Sequence, residues 1–154
     1  MDERSANNIA TLLPEVQPKF KSFVEKAQAL AATKGYEYKV ICATRTYAEQ
    51  AALYRKGRDL PGPKVTNALP GYSMHNFGLA IDMGVFQNGK YLDDESPAKA
   101  DGFHRIVAAI AKNEGLRWGG DFKSITDTPH FELDTPLSLA ELRHRKETGS
   151  PLLA

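Results

Sequence analysis

The stretch Ser73–Gly89, SMHNFGLAIDMGVFQNG, decides the architecture. Its second half, Gly78–Phe86, is apolar apart from Asp82, which predicts a buried strand. Asn88-Gly89 follows at once, the strongest two-residue signal for a tight hairpin, so Lys90–Leu92 should return beside the strand. A carboxylate inside such a strand costs free energy unless it is paired or bound to a metal. His75 stands seven residues before Asp82, and Gly78 between them lets the chain bend.

Outward from this stretch the pattern turns helical. Val16, Phe20, Phe23, Val24, Ala27, Leu30 and Ala31 recur at helix spacing over residues 15–33, with Pro14 and Pro18 near the start and Gly35 as the stop. Tyr36–Ala43 reads as a strand. Thr46 and Glu49 form a capping-box pattern that opens a helix running to about Lys56, ended by Gly57. The Pro- and Gly-rich residues 58–73 make a loop long enough to serve a function. Phe103, Ile106, Val107, Ile110 and Ala111 mark a further amphipathic helix ending near Gly115. Trp118-Gly119-Gly120 opens a turn, His130–Leu133 is a short strand, and Ser138 with Glu141 starts a terminal helix. Helices and hairpins alternate without a βαβ rhythm, so the fold class is α+β: one domain over residues 1–154, with a core at about 9–135 and a terminal helix at about 138–147.

Composition sets the outer limits. The chain has 154 residues, 42% hydrophobic and 25% charged, the balance of a soluble globular protein. Area scaling buries about 69% of the unfolded surface, enough for a core without disulfides. Twenty Lys+Arg against 19 Asp+Glu give a net charge of +1, which excludes nucleic-acid binding driven by charge. No apolar run approaches the ~20 residues needed to cross a bilayer, so no stable membrane insertion is expected. The amino terminus lacks the basic and apolar regions of a signal peptide. The single cysteine, Cys42, excludes an internal disulfide and a Cys-rich zinc site, and its apolar neighbours predict a buried strand thiol.

His75, Asp82 and His130 carry the chemistry. Zinc accepts histidine nitrogen and carboxylate oxygen, and catalytic sites use three protein ligands plus water. His130 sits on a separate predicted strand, and adjacent strands bring side chains close enough to share one ion. The alternatives are hydrogen-bonded core histidines and an Asp82–Arg45 ion pair.

The surrounding residues favour the metal. Ser73 to Asp82 matches the SxHxxGxAxD motif of D-alanyl-D-alanine carboxypeptidase-like (VanY-like) zinc peptidases. Asp127-Thr128-Pro129-His130-Phe131-Glu132 resembles that family's second motif, and Arg45-Thr46-Tyr47 with Glu49, Gln50 and Leu53 resembles its upstream segment. Trp118–Phe122 is similar to the stretch before the second motif. Ala43 and Thr44 depart from the usual pattern. Asp rather than Glu at 127 resembles the phage endolysin branch, the L-alanyl-D-glutamate endopeptidases.

The resemblance implies a hedgehog/DD-peptidase-like zinc fold in which His75, Asp82 and His130 hold Zn²⁺. Asp127 would be the general base and acid, with Arg45 at the substrate. Ser73, Gln50 and Trp118 are candidate substrate-binding residues; Asp121 and Glu132 are rival carboxylates, with Glu132 on the same strand face as His130. Tyr72 and Phe77 read as packing groups, and His104 and His144 as non-ligands. The expected partner is the peptidoglycan stem peptide, met by a monomer that reaches the wall after holin-mediated release. The alternatives are a D,D- or L,D-carboxypeptidase of the same fold and a non-catalytic zinc-binding module.

Overall fold

In the computed structural model, which describes residues 1–154, the Ser73–Gly89 stretch supplies the centre of an antiparallel sheet. Strand β2 (Ala80–Gln87) is flanked by β1 (Glu37–Cys42) on one side and β5 (His130–Leu133) on the other, with β4 (Leu116–Trp118) outside β5. The short β3 (Lys90–Tyr91) returns on β2 through Asn88 (φ +51°) and Gly89 (φ +76°), the double left-handed geometry of a two-residue hairpin turn.

Alternation divides the sheet into two faces. Tyr38, Val40, Ile81, Met83, Val85 and Phe131 meet helices α2 (Gln17–Thr33) and α5 (Pro97–Asn113), where Phe23 packs on Phe131 at 4.7 Å and Phe103 on Tyr38 at 4.9 Å. Each such side chain contributes about 1.5–3 kcal/mol when fully buried, so this face holds the core together. The other face carries mostly polar residues in rows set by the strand register: Cys42, Asp82 and His130 across β1, β2 and β5, and, beside the small Ala80 of β2, Glu132 and Arg117 across β5 and β4.

The helix ends follow local chemistry. At α3 (Tyr47–Arg55) both arms of the capping box form: Glu49 N–H donates to Thr46 Oγ1 at 3.1 Å, and Thr46 N–H to Glu49 Oε1 at 2.9 Å. At α6 (Leu139–Glu147) Ser138 accepts from the Glu141 N–H at 3.1 Å. Helix α1 (Glu3–Ile9), α4 (Leu92–Glu95) and strand β4 were not visible in the sequence pattern. The segment ERSANNI has almost no apolar stripe; it is held by the Asp2 cap and by Ser5, whose hydroxyl accepts from Val40 N–H at 2.9 Å. Leu92, expected in the hairpin strand, instead starts α4.

Gly78 also corrects the strand start. It closes a 3₁₀ turn over Met74–Phe77 in left-handed conformation (φ +69°), and a Cβ there would lie 2.6 Å from Leu13 N. The turn before it carries His75. No helix is long and apolar enough to cross a membrane.

Candidate metal centre

Three elements bring the candidate ligands together. The 3₁₀ turn carries His75, β2 carries Asp82, and β5 carries His130 directly opposite Asp82. Asp82 Oδ1 lies 3.3 Å from His75 Nε2 and 3.2 Å from His130 Nδ1. A tetrahedral ion with ~2.0–2.1 Å bonds has edges of about 3.3–3.4 Å, so each histidine stands at ligand spacing from Asp82.

The tautomers fit the same reading. His75 Nδ1 is 2.6 Å from the Ala43 carbonyl oxygen, which can only accept, so Nδ1 carries the proton and Nε2 presents its lone pair toward Asp82. That Nε2 is buried and has no hydrogen-bond partner. His130 Nε2 is 2.8 Å from the Glu132 carboxylate, which anchors its N–H and leaves Nδ1, 3.2 Å from Asp82 Oδ1, as the nitrogen that can bind an ion. Each imidazole thus has one nitrogen anchored and the other beside Asp82 Oδ1.

Charge follows geometry. Burial of the His75 ring disfavours its cation, but the Asp82 carboxylate outweighs this and holds the pKa up at about 10. Burial likewise opposes the His130 cation, while its hydrogen bonds to the Asp82 and Glu132 carboxylates raise its pKa. Burial alone would raise Asp82, yet His75 first and then His130 hold its carboxyl well below the usual range. The centre therefore calls for positive charge beside Asp82, as protons or as an ion.

Asp127 stands at the rim, exposed, with Oδ2 4.0 Å from His130 Nδ1. Partial enclosure, then the charge of Asp82, raises its pKa from the ordinary aspartate value. Its backbone is clamped by Asp127 N–H to Gly119 O at 2.9 Å and His130 N–H to Asp127 O at 3.1 Å.

Arg45 lines the same cleft, of about 740 Å³. Its backbone is fixed on both sides, N–H to His75 O at 3.0 Å and O from Asn76 Nδ2 at 3.1 Å, while its buried Nε has no partner. Arg45 makes no ion pair with Asp82, whose partners are the two histidines.

Among the other expected residues, Ser73 lines the cleft and caps the 3₁₀ turn through His75 N–H at 3.2 Å. Gln50 and Trp118, expected to touch substrate, are not among the residues that line the cleft. Gln50 is 0% exposed, its amide donating to Ala68 O and accepting from Asn76. Trp118 is 2% exposed, with its indole N–H bound to Thr128 O at 2.8 Å beneath the Asp127 loop. Both position loops. Asp121 pairs with Lys112 at 2.7 Å on the rim. Tyr72, expected to pack, is 52% exposed in the cleft with Arg143 stacked on it. His104 is engaged by Tyr38 and Asp93, away from the centre. Cys42, expected as a buried thiol, is half-buried and lies beside His75 and Asp82.

Sequence reasoning did not find Asn76, whose amide holds Gly71, Arg45 and Gln50 together. A polar residue between buried His75 and Phe77 was the available signal. Arg117, paired with Glu132 at 2.7 Å, escaped because the three-residue β4 that presents it has no pattern of its own.

Two histidines and an aspartate around one point, in an open cleft with an exposed carboxylate alongside, define a metal-dependent hydrolase. The family model described as D-alanyl-D-alanine carboxypeptidase matches residues 66–133. The peptidoglycan L-alanyl-D-glutamate endopeptidase CwlK of Bacillus subtilis is 36% identical over 125 residues, covering 77% of this chain and 74% of CwlK. The chain belongs to this D-alanyl-D-alanine carboxypeptidase family and is a metallopeptidase.

Solved structures share the fold. The Serratia marcescens L-Ala D-Glu endopeptidase ChiX superimposes with a TM-score of 0.60 at 20% identity, over 86% of this chain and 88% of ChiX. The zinc-bound vancomycin-resistance D,D-pentapeptidase VanY gives 0.52 at 16% identity, over 92% and 81%.

Proposed function

We propose that the protein is a zinc-dependent peptidoglycan endopeptidase that hydrolyses the L-alanyl-D-glutamate bond of stem peptides. The observation that carries this reading is the pair of oriented imidazoles beside Asp82, with Asp127 free at the rim. The likeness to CwlK supports the bond, and Asp at 127, as in the phage endolysin branch, supports an endolysin role.

His75 Nε2, Asp82 Oδ1 and His130 Nδ1 would hold zinc, which supplies Lewis acidity for the scissile carbonyl and for activating water. Asp127 accepts a proton from the attacking water and delivers it to the leaving amine; its raised pKa suits both halves of that exchange. Arg45, without an internal partner, binds carbonyl or carboxylate oxygen of the substrate and stabilises negative charge that develops there. Glu132 fixes the His130 ring and is itself held by Arg117. A second cavity of about 700 Å³ adjoins the cleft beyond Asp127, sharing Tyr72 and Phe122 with it, so substrate can extend past the reacting bond as an endopeptidase requires.

Digestion of purified sacculi, with assignment of the new amino termini, tests the reading. The expected product is peptide with free amino-terminal D-glutamate, leaving L-alanine on the glycan. Release of terminal D-alanine instead would make the protein a carboxypeptidase. Zinc binding without any product would make it a non-catalytic module.

A further inference from the structure

The register of β1 against β2 breaks next to the candidate centre. From Glu37↔Phe86 to Val40↔Met83 the pairing is regular, and continuing it would set Ile41 opposite Asp82. A bulge intervenes, and Cys42 takes that place. Bulges beside functional sites re-aim side chains, and here the device exchanges an aliphatic group for a thiol. The outcome is a row of Cys42, Asp82 and His130 across three neighbouring strands, with His75 above it.

Two overlapping donor sets result. The Cys42 thiol, a ring nitrogen of His75 and a carboxylate oxygen of Asp82 lie within 4.8 Å of one another, a spacing that side-chain rotation can close around one ion. A second observation points to a ligand at a residue shared by both sets: His75 is 2% exposed, and its Nε2 lacks any hydrogen-bond partner. Sulfur distinguishes the two sets, because thiolate favours soft divalent ions whereas two imidazoles and a carboxylate do not select for them.

We infer that Cys42, His75 and Asp82 form an alternative site for a thiophilic divalent cation, sharing two residues with the hydrolytic set. Binding exchanges the thiol proton for the metal: the S–H bond breaks, a sulfur–metal bond forms, and the proton passes to solvent. An ion drawn toward Cys42 moves away from the side of Asp82 that faces His130 and Asp127. Soft metals would thereby inhibit the enzyme through a residue that takes no part in hydrolysis. This rests on the reading of His75 and Asp82 as metal ligands.

Cadmium titration of the full chain, stripped of metal by chelation, tests the site through the ultraviolet charge-transfer band of a cadmium–thiolate bond, with circular dichroism to verify folding. The wild type should bind one Cd²⁺ per chain with the intensity of one thiolate. Cys42→Ser should lose the band, and its preference for Cd²⁺ over Zn²⁺ should fall at least about tenfold. Folded His130→Ala should keep the band. Stoichiometric cadmium binding to the wild type without the band would overturn this inference alone, as would loss of the band in folded His130→Ala. Failure of both cadmium and zinc to bind the wild type would overturn it together with the proposed function.

Discussion

Gly119→Ala should disable catalysis without touching any group that performs it. Gly119 lies in the turn after β4, and its carbonyl accepts the Asp127 N–H at 2.9 Å. A Cβ on Gly119 would lie 2.1 Å from the Asp127 carbonyl oxygen and 3.0 Å from His130 Cβ. Ordinary contact begins near 3.4 Å, so the Asp127 backbone must retreat, whereas His130 needs only a few tenths of an ångström. The retreat is about 1 Å, a misplacement that costs on the order of 10²-fold in a positioned reaction. The expected loss in kcat/KM is therefore ~100-fold, or about 2.7 kcal/mol of transition-state stabilisation. The assay is release of amino-terminal D-glutamate from muropeptide, run beside zinc content and thermal unfolding. A folded, zinc-loaded variant within about threefold of wild-type kcat/KM would refute the claim that the placement of Asp127 matters.

Three other perturbations address the remaining residues. Glu132→Gln removes the carboxylate shared by His130 and Arg117, and zinc affinity measured against a competing chelator should fall about 10–100-fold, with kcat recovered at saturating zinc; an unchanged affinity would separate Glu132 from the centre. Arg45→Lys keeps the charge but loses the planar donors, so kcat/KM should fall at least about tenfold, and wild-type kinetics would return Arg45 to a structural role. Because Asp82, against burial, holds the His75 pKa at about 10, an entering ion must displace a proton at neutral pH. Zinc affinity should fall as pH falls, and calorimetry at pH 7 in buffers of different ionisation enthalpy should show release of at least one proton per zinc; binding with no release would contradict this.

Local signals in the chain were strong where a single residue type enforces the geometry. Asn88-Gly89 made its hairpin, Thr46 with Glu49 made its capping box, and Gly35, Gly57 and Gly115 ended their helices in left-handed conformation. The polar side chains that converge on the centre were also legible, since a charged Asp82 within an apolar strand has few stable explanations. What escaped was set by tertiary contact. Gln50 and Trp118 stand in segments that resemble a binding motif, but which side of an element faces the cleft depends on packing. Here that packing turned the Gln50 amide toward Ala68 and the Trp118 indole toward Thr128. Cys42 was misplaced because a bulge shifts a strand by one residue and leaves no mark in composition.

The central claim is that His75, Asp82 and His130 hold the ion while Asp127 moves the proton. Zinc per chain, measured beside kcat for Asp127→Asn and Asp82→Asn, tests it most directly. Asp127→Asn should keep one zinc and its thermal stability and lose 10²–10⁴-fold in kcat, the usual range for general acid–base catalysis. Asp82→Asn should lose zinc and activity together. An Asp127→Asn protein without zinc beside an Asp82→Asn protein that retains it would exchange the two roles, and full activity in zinc-loaded Asp127→Asn would remove Asp127 from the reaction.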